Sequence, residues 1–492
     1  MNNLETASNP ENLKRVVIEP ITRVEGHGKV TLLTDEDNIV QQARLHIVEF
    51  RGFERFIQGR PYWDAPVVVQ RLCGICPVSH HLAAGKAIDR IVGGSALTPA
   101  ARKLRELAHY GQLLQSHALH FFMLCSPDLL FGFESEVAQR NFFAVVDKYP
   151  DIAIKGIRLR KYGQEVIAAV LGKRVHGTGA IPGGMNKALE AAERDTLITD
   201  FEHILEWSKD AVDLARNSFM ANLPHNDRFG SMRSNYLSLV REDGALELYD
   251  GVFRAKDPDG NIIFDGVSDQ EYHQHIREEV RNWSYMKFPY LSALGSEAGW
   301  YRVGPLARMN NCDFIDTPLA EAERQQYAEY GKDLPVEASL AYHWARMIEL
   351  LHCAEKIQQL LDDPDILSSD LLVKGNRTSE GIGVIEATRG TLIHHYEVDD
   401  NDLIRKANLI VATTHNNQAM NEAIRQVAQE KLNGEEIDEP LLNNIEVAVR
   451  AYDPCLSCAT HAVGKMPLRV ELVNHKGELV HSLRRDSDGS LS

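Results

Sequence analysis

The chain has 492 residues, of which 44% are hydrophobic and 25% charged, and its formal net charge is −17. This composition predicts a globular protein with a large core, and the acidic balance argues against binding to nucleic acid or anionic lipid. No stretch has the roughly 20 consecutive apolar residues of a membrane span, and no signal peptide is visible at the N-terminus. We therefore expect a cytoplasmic protein without a membrane span.

The predicted elements are mostly helices, with strands near both ends. Residues 1–14 are predicted to be flexible, and residues 15–48 to form strands joined by a turn. A long helix is predicted from Thr98, as N-cap before Pro99, to about residue 124. Hairpins are predicted at 246–266 and 468–481. The other helices are predicted at 188–220, 317–331, 335–362 and 416–432.

No repeat, low-complexity tract or linker rich in proline and serine divides the chain. The pattern favours one interwoven α+β unit, predominantly helical, with a helical core and small sheets and hairpins in the N-terminal region and at the periphery.

Two Cys-x-x-Cys pairs lie near opposite ends of the chain: Cys73 with Cys76, and Cys455 with Cys458. Four thiolates are ligands for a soft metal, and few, odd-numbered cysteines argue against a disulfide framework. Three alternatives follow from the cysteines alone: a structural zinc site, iron-sulfur ligation, or unpaired core cysteines. The distance between the pairs counts against zinc, because zinc modules usually take both pairs from one short segment.

The residues around the pairs resemble the signature segments of the nickel-iron hydrogenase large subunit. The three strongest matches are Arg71-Leu-Cys-Gly-Ile-Cys-Pro-Val-Ser-His80, Asp453-Pro-Cys-Leu-Ser-Cys-Ala-Thr-His461 and Arg23-Val-Glu-Gly-His27. The resemblance continues through Arg51-Gly-Phe-Glu54, Gly304-Pro-Leu-Ala-Arg308 and Glu386-Ala-Thr-Arg-Gly390. It spans residues 15–461 and implies the large-subunit fold and reversible heterolytic oxidation of H2 to protons and electrons.

The resemblance implies a role for each cysteine. Cys73 and Cys455 correspond to terminal nickel ligands, and Cys76 and Cys458 to thiolates that bridge nickel to an iron carrying cyanide and carbon monoxide. His80 corresponds to a residue that hydrogen-bonds a bridging sulfur, although it can also be a packed core histidine.

The resemblance also implies roles for a carboxylate and a guanidinium. Glu25 corresponds to the proton-relay carboxylate; the alternative is a capping glutamate, with Arg23 as its ion-pair partner. Arg389 corresponds to the arginine beside the diatomic ligands of iron. Thr388 and Ala412 stand where the family commonly has proline, so Thr413 and Thr414 are weaker candidates as donors to cyanide.

A magnesium site is implied near the active metals. Its expected ligands are Glu54, the backbone carbonyl near Leu409, and His461. Magnesium prefers oxygen ligands and retains several waters, so the histidine is the less usual member of this set.

The residues that surround the motifs most resemble the soluble NAD-reducing bidirectional hydrogenases. The implied partners are diaphorase subunits with flavin and iron-sulfur clusters, together with an iron-sulfur small subunit. No nicotinamide or flavin site is expected on this chain, because Gly381-Ile-Gly-Val-Ile-Glu386 lacks a supporting strand-turn-helix unit. The alternatives are an NADP- or deazaflavin-linked cytoplasmic hydrogenase, a zinc-stapled scaffold, and a complex I-like subunit, which the four cysteines disfavour.

Residues 462–492 extend beyond the last motif. The resemblance implies a maturation endopeptidase that cleaves after His461 once nickel is bound; the alternative is a permanent terminal hairpin. The remaining cysteines are predicted to be buried apolar residues, and the histidines of the long helix to be packed or partner-facing. These residues are Cys125, Cys312, Cys353, His109, His117 and His120.

Overall fold

The structure is a computed structural model that describes residues 14–281, 283–432, 439–460, 468–473 and 479–485. The β-strands are β1 (Lys14–Ile18), β2 (Gly28–Thr34), β3 (Val40–Ile47), β4 (Ala180–Ile181), β5 (Gly184–Met185), β6 (Asn235–Val240), β7 (Val252–Lys256), β8 (Ile262–Val267), β9 (Ile276–Glu279), β10 (Phe288–Leu291), β11 (Tyr301–Arg302), β12 (Glu380–Ala387), β13 (Gly390–Val398), β14 (Ile404–Ile410), β15 (Leu468–Val473) and β16 (Leu479–Arg485).

Helices are the predominant elements of the described chain. The α-helices are α1 (Phe53–Ile57), α2 (Ala65–Val68), α3 (Pro77–Ile91), α4 (Pro99–Leu119), α5 (Ser126–Phe131), α6 (Phe142–Lys148), α7 (Pro150–Leu171), α8 (Ala191–Thr199), α9 (Phe201–Met220), α10 (Leu223–Asn226), α11 (Tyr272–His275), α12 (Gly295–Ala298), α13 (Pro305–Asn311), α14 (Pro318–Gly331), α15 (Ala341–Asp362), α16 (Ala412–His415), α17 (Asn417–Leu432) and α18 (Glu439–Ala451). A π-helix, His120–Cys125, follows α4. Short 3₁₀ helices lie at Tyr62–Asp64, Val69–Leu72, Val137–Gln139, Asp269–Glu271, Ser292–Leu294 and Pro364–Leu367.

The sheets are small and mostly antiparallel. β1, β2 and β3 form one three-stranded sheet, and β12, β13 and β14 form another. A four-stranded sheet has the order β11-β6-β7-β8, with β11 parallel to β6. The pairs β4-β5, β9-β10 and β15-β16 are separate ribbons. This arrangement confirms the predicted α+β class, the N-terminal strands and both predicted hairpins.

The long helix predicted from Thr98 is confirmed, including its cap. The Thr98 hydroxyl accepts the Ala101 amide at 3.3 Å, which satisfies one of the free amides at the first turn. The predicted helices at 317–331 and 416–432 correspond to α14 and α17.

Two helix predictions were wrong in their extent. The predicted helix 188–220 is two helices, because Asp200 between α8 and α9 leaves helical geometry at φ −105° and ψ 10°. The first of them begins only after Glu190, which forms a capping box with Glu193. The predicted start at 335 is also too early, since the side-chain amide of Asn310 binds both backbone groups of Val336. The helix α15 begins at Ala341.

One continuous cluster of buried apolar residues extends from Ile18 to Ala459. In it, α4 packs against α7 and α15, and α15 also packs against α9. A second, smaller cluster lies among β6, β7, β12 and β13. No helix among the described residues has the length and apolar character needed to cross a bilayer.

The helix α3 lies directly on β12 and β13. This close approach depends on glycine at Gly381 and Gly383, where an added Cβ would lie 2.0 Å from Ala87 O and 2.2 Å from Ala83 O. No side chain fits at these two positions. The contact fixes α3 against the sheet of β12, β13 and β14 through Ala83 and Ala87, and the first cysteine pair lies just before this helix.

Candidate active site

The four cysteines of the two Cys-x-x-Cys pairs converge in the core. Cys73 and Cys76 lie just before α3, and Cys455 and Cys458 follow α18. All four are buried, and their sulfurs lie within 4.8 Å of one another. Cys73 Sγ is 3.3 Å from Cys455 Sγ although the residues are 382 positions apart, and Cys76 Sγ is 3.9 Å from Cys458 Sγ. The cysteines are free.

The first pair is shaped by its own backbone. The amides of Ile75 and Cys76 donate to Cys73 Sγ at 3.2 and 3.3 Å. Cys76 is the last residue before Pro77 opens α3, where proline is favoured because its position needs no amide hydrogen. Amides that point at a sulfur stabilise a thiolate.

The sulfurs differ in acidity. A hydrogen bond from Cys455 holds the pKa of Cys73 well below its ordinary value. Burial raises the pKa values of Cys455 and Cys458 well above the ordinary value. Four buried sulfurs within 4.8 Å of one another form a donor set that a soft cation satisfies by displacing the thiol protons. The residues therefore fit a thiolate-bound metal centre.

Glu25 contacts the second pair through side chain and backbone. Its Oε2 accepts from Cys455 Sγ at 3.0 Å and from the Ser457 amide at 3.2 Å, and its Oε1 accepts from the Ser457 hydroxyl. The Leu456 amide donates to its backbone carbonyl at 2.9 Å. Glu25 thus both caps the turn and presents a carboxylate to a cluster sulfur.

Arg23 has a different partner from the one considered above. Its guanidinium donates to both carboxylate oxygens of Asp128, at 2.6 and 2.9 Å, and to Leu124 O at 2.7 Å. The sequence alternative in which Arg23 pairs with Glu25 is therefore not the arrangement observed.

Arg389 lies beside the sulfurs and is anchored by Asp453. Its Nη2 donates to Asp453 Oδ1 at 3.0 Å, its Nε to Asp453 O, and its Nη1 to Thr388 Oγ1 at 3.3 Å. Burial alone would lower the pKa of Arg389. The charges of Asp453 and the cysteines outweigh burial and hold this pKa well above its ordinary value. The site thus keeps a permanent cation next to its thiolates.

The two threonines before α17 contact the second pair through its backbone. Thr413 Oγ1 accepts the Cys455 amide at 2.8 Å, and Thr414 Oγ1 donates to Ala459 O at 3.3 Å. Since the Thr413 oxygen acts as acceptor here, its hydroxyl hydrogen is left to donate elsewhere. Both residues help to position Cys455–Cys458.

His80 begins a buried chain of polar rings. Its Nδ1 is 3.1 Å from His394 Nε2, and His394 Nδ1 is 2.6 Å from the hydroxyl of Tyr396. His394 and Tyr396 belong to β13, on which α3 packs. His80 is therefore held by a hydrogen-bond network.

Two of the three predicted magnesium ligands are adjacent. Glu54 is buried, and its Oε1 accepts the Leu409 amide at 2.8 Å. Burial raises the pKa of Tyr396 well above its ordinary value, and the charge of Glu54 raises it further. The His80–His394–Tyr396 network and the Glu54 carboxylate therefore share one region. The third predicted ligand, His461, lies outside the described residues.

Sequence reasoning missed four residues that shape the site: Asp453, Ser457, His394 and Tyr396. Asp453 and Ser457 stand inside the Asp-Pro-Cys-Leu-Ser-Cys motif, so their position beside the cysteines was a usable signal. His394 and Tyr396 had no local signal, because they reach the site only through the packing of α3 on β13.

Two family models match the chain. The nickel-dependent hydrogenase model matches residues 51–131 and 237–461, and a HoxL-like model matches residues 15–50. The chain is 45% identical over 487 residues to the NAD-reducing hydrogenase HoxS subunit beta of Cupriavidus necator, a match that covers 96% of this chain and 100% of that protein. It is 40% identical to an F420-non-reducing hydrogenase protein of Methanothermobacter thermautotrophicus, covering 95% of this chain and 99% of the relative.

Solved structures agree with these matches. An NAD+-reducing [NiFe]-hydrogenase in the H2-reduced state superposes with a TM-score of 0.89 and 56% identity, over 91% of this chain and 99% of that one. The Ni-Fe-Se hydrogenase of D. vulgaris Hildenborough has the same fold, with a TM-score of 0.73 and 24% identity over 91% and 100%. With its four converging cysteines, the chain belongs to the nickel-dependent hydrogenase family and is the large, catalytic subunit of a hydrogenase.

Proposed function

We propose that this chain oxidises H2 reversibly at a nickel-iron centre held by Cys73, Cys76, Cys455 and Cys458. The observation that carries the proposal is the convergence of four buried thiols, one of them 3.0 Å from a carboxylate. When bound, the centre, with iron carrying cyanide and carbon monoxide, supplies heterolytic cleavage of H2. The protein supplies the sulfurs, the proton carrier and the charged surroundings.

Separate roles within each pair are part of this proposal; the four sulfurs form one cluster, in which the shortest contact, 2.8 Å, joins Cys455 to Cys458. The two proposed terminal nickel ligands, Cys73 and Cys455, face each other, as do the two proposed bridging thiolates, Cys76 and Cys458. A Cys-x-x-Cys turn allows one sulfur to bind a single metal while its partner reaches two. Soft thiolates suit both metals.

Glu25 is the proposed first proton carrier. Cys455 Sγ can hold a proton and pass it across 3.0 Å to Glu25 Oε2, a distance suited to direct transfer. The Ser457 hydroxyl and amide fix the carboxylate against that sulfur. Proton movement therefore needs no rearrangement of the backbone.

Arg389 and His80 are proposed to act on the centre without binding metal. Arg389, fixed by Asp453, would donate to the cyanide on iron through a guanidinium edge. His80, held by His394, would hydrogen-bond a bridging sulfur and so tune it.

A magnesium ion is proposed at Glu54, the carbonyl of Leu409 and His461. The contact between Glu54 Oε1 and the Leu409 amide supports this grouping, since it brings a buried carboxylate to the backbone of β14. A buried carboxylate is a suitable oxygen ligand for a hard cation.

The proposed electron acceptor is NAD, reached through other chains. The 45% and 56% identities to NAD-reducing enzymes support this assignment over the F420-non-reducing relative at 40%. Electrons would leave to an iron-sulfur small subunit, then to diaphorase subunits with flavin and iron-sulfur clusters, in the cytoplasm. An NADP- or deazaflavin-linked partner is the alternative.

Maturation is proposed to remove residues 462–492 through an endopeptidase that cleaves after His461. The second pair lies just before this point, and cleavage would follow metal loading. The intact mass of active enzyme checks this step, and a full-length chain that oxidises H2 would contradict it.

The experiment that tests the proposed proton relay is Glu25→Gln. Glutamine keeps the shape and can still accept from Ser457, but it does not carry a proton. We expect metal content to be retained while H2/D2O exchange falls at least a hundredfold, roughly the contribution of a positioned acid or base. Glu49→Gln is the matched control, since Glu49 binds His27 outside the cluster. Ordinary exchange in Glu25→Gln would refute the relay.

A further inference from the structure

One sequence motif, Gly304-Pro-Leu-Ala-Arg308, supplies no ligand or proton carrier to the proposed centre. The motif opens α13, and its first and last residues both contact the hairpin of β12 and β13. In that hairpin Ala387 pairs with Gly390, so Thr388 and Arg389 form a two-residue loop. The motif therefore lies against the loop that carries Arg389.

Arg308 binds the last two residues of β12. Its Nη1 donates to Glu386 Oε2 at 2.8 Å and to the Ala387 carbonyl at 3.0 Å. The same guanidinium donates twice, at 2.6 Å each, to the carboxylate of Glu349 on α15. The side chains of Arg308, Glu386 and Glu349 are all 0% exposed. One fully buried cation thus connects the strand that precedes the loop to a core helix.

The carboxylates on either side of Arg308 are themselves held. Glu386 Oε1 accepts from the Thr391 hydroxyl at 2.7 Å and from the Leu239 amide at 2.9 Å, which ties β13 and β6 to the same group. Burial alone would raise the pKa of Glu349, but the charge of Arg308 outweighs burial and lowers this pKa to about 2. The pair of Arg308 with Glu349 is therefore fully charged at neutral pH.

The first residue of the motif contacts the loop backbone directly. Gly304 has φ +91°, and an added Cβ would lie 2.6 Å from Arg389 O. At Gly390, with φ +135°, a Cβ would lie 2.7 Å from Gly304 N. Only glycine allows these two backbones to meet so closely. The neighbouring Val303 amide donates to Asn416 Oδ1 at 2.9 Å, so the loop lies against a segment that is itself hydrogen-bonded.

Arg389 is therefore held in two separate ways. Its guanidinium binds Asp453, which stands two residues before Cys455 in the motif of the second pair. Its backbone is held by the contacts of Gly304 and Arg308, which come from α13 and not from a cysteine motif. The second set of contacts decides where the Arg389 side chain starts.

We propose that Arg308 is a positioning residue for Arg389 and acts by fixing the backbone of the Thr388–Arg389 loop. The inference rests on the proposed function, in which Arg389 donates to cyanide on iron. A guanidinium suits this role because its five donors lie in one rigid plane and can bind two carboxylates and a carbonyl together. Loss of these contacts frees the loop and weakens the hydrogen bond to cyanide, while every metal ligand is retained.

The test is Arg308→Lys in the purified nickel-loaded enzyme, with Arg105→Lys as the matched control. Lysine keeps the positive charge beside Glu349 but cannot reproduce the planar set of donors. Arg105 is also 0% exposed, pairs with Asp89 and donates to two backbone carbonyls. The control therefore loses a comparable set of bonds away from the loop. Infrared spectra, amide hydrogen exchange, nickel content and thermal unfolding are measured for both variants.

We expect both variants to retain nickel and to unfold at a lower temperature than the wild type. Only Arg308→Lys should shift a cyanide stretching band, and only there should amide exchange in residues 386–391 rise, by about tenfold. Unchanged cyanide bands in Arg308→Lys, or an equal shift in Arg105→Lys, would overturn the inference. A wild type without cyanide bands would instead contradict the proposed function on which the inference rests.

A second pair of variants serves if Arg308→Lys does not fold. Glu386→Gln removes the charge from one partner of Arg308 and leaves both bonds to Glu349 in place. Asp89→Asn is its control, since it removes the charge beside Arg105. We expect a smaller shift of the same cyanide band in Glu386→Gln and none in Asp89→Asn. Identical cyanide bands in Glu386→Gln and the wild type would then overturn the inference.

Discussion

The two cysteine pairs are built in different ways. Cys73 and Cys76 sit at the start of the buried helix α3, and the amides that bind Cys73 Sγ come from the same turn. Cys455 and Cys458 lie on a turn after α18, and their partners are distant in sequence. Glu25 binds Cys455 from 430 positions away in the sequence, and Thr413 binds it from 42 positions away. The donors that bind a sulfur of the first pair are local, whereas the side chains that bind the second pair come from distant segments.

This difference suggests which half can open. Contacts within one turn persist when the rest of the chain moves, whereas contacts to distant segments are lost together when the segment that carries them moves. We therefore expect the second pair to leave the cluster more readily than the first. The proposed order of maturation, with metal loading before the chain is cut after His461, needs such an opening on that side.

The largest expected effect comes from removing one sulfur on either side. Cys73→Ser and Cys455→Ser each leave three thiolates, and a hydroxyl is a poor ligand for a soft metal. We expect nickel content and H2 oxidation to fall to background in both. Metal analysis and H2 uptake measure this, with Cys312→Ser as a control that keeps both. Nickel retained in either variant would show that its cysteine is not a required ligand.

The next prediction weakens only the second half. In the wild type the buried Arg389 guanidinium is 3.0 Å from Asp453 Oδ1, and Asp453→Asn removes the charge of this ion-pair partner. Removing one partner of a buried ion pair costs about 3–5 kcal/mol. We expect lower thermal stability and faster amide hydrogen exchange after α18, with α3 unchanged.

Asp250→Asn is the control for that substitution. Asp250 is 43% exposed, and Lys86, its ion-pair partner, also donates to the carbonyls of Tyr249 and Val384. We expect a smaller loss of stability there. Equal acceleration of exchange in α3 and after α18 would contradict the view that the two halves are separately built.

The sequence predicted the parts of the site that lie in continuous motifs. The motifs around Cys73 and Cys455 identified the four cysteines, and separate motifs identified Glu25 and Arg389. The N-cap at Thr98 predicted where the long helix begins. The sequence could not predict partners that arrive through packing. His394 reaches His80 because glycines let α3 lie on the sheet, and nothing near residue 394 indicates that contact.

Local geometry also escaped prediction where it depends on one residue. Asp200 interrupts an otherwise helical pattern, and Asn310 holds residue 336 outside a helix that the pattern starts too early. In each case a hydrogen bond or a backbone angle sets the boundary of the helix.

A smaller effect is expected from glycines near each pair. Gly26 has φ +83°, and a Cβ there would lie 2.7 Å from Ser457 N. Gly26→Ala should cost about 1–3 kcal/mol from backbone strain and should displace the turn of the second pair. Gly74 lies inside the first pair, where a Cβ would meet nothing within 4 Å. Gly74→Ala is therefore expected to be tolerated. Nickel content and thermal unfolding of both variants measure the contrast, and similar losses in both would contradict it.

The smallest expected effect removes one hydroxyl that supports the second pair. In the wild type the buried Cys455 amide donates to Thr413 Oγ1 at 2.8 Å. Thr413→Val keeps the volume of the side chain but removes this acceptor. An unsatisfied buried amide costs about 1 kcal/mol or more, so we expect a lower unfolding free energy in urea. Thr413→Ser should restore it, because serine keeps the oxygen. Thr414→Val is the control, since its hydroxyl only donates to Ala459 O at 3.3 Å. A Thr413→Val enzyme as stable as wild type, or no recovery with serine, would show that this contact does not hold the second pair in place.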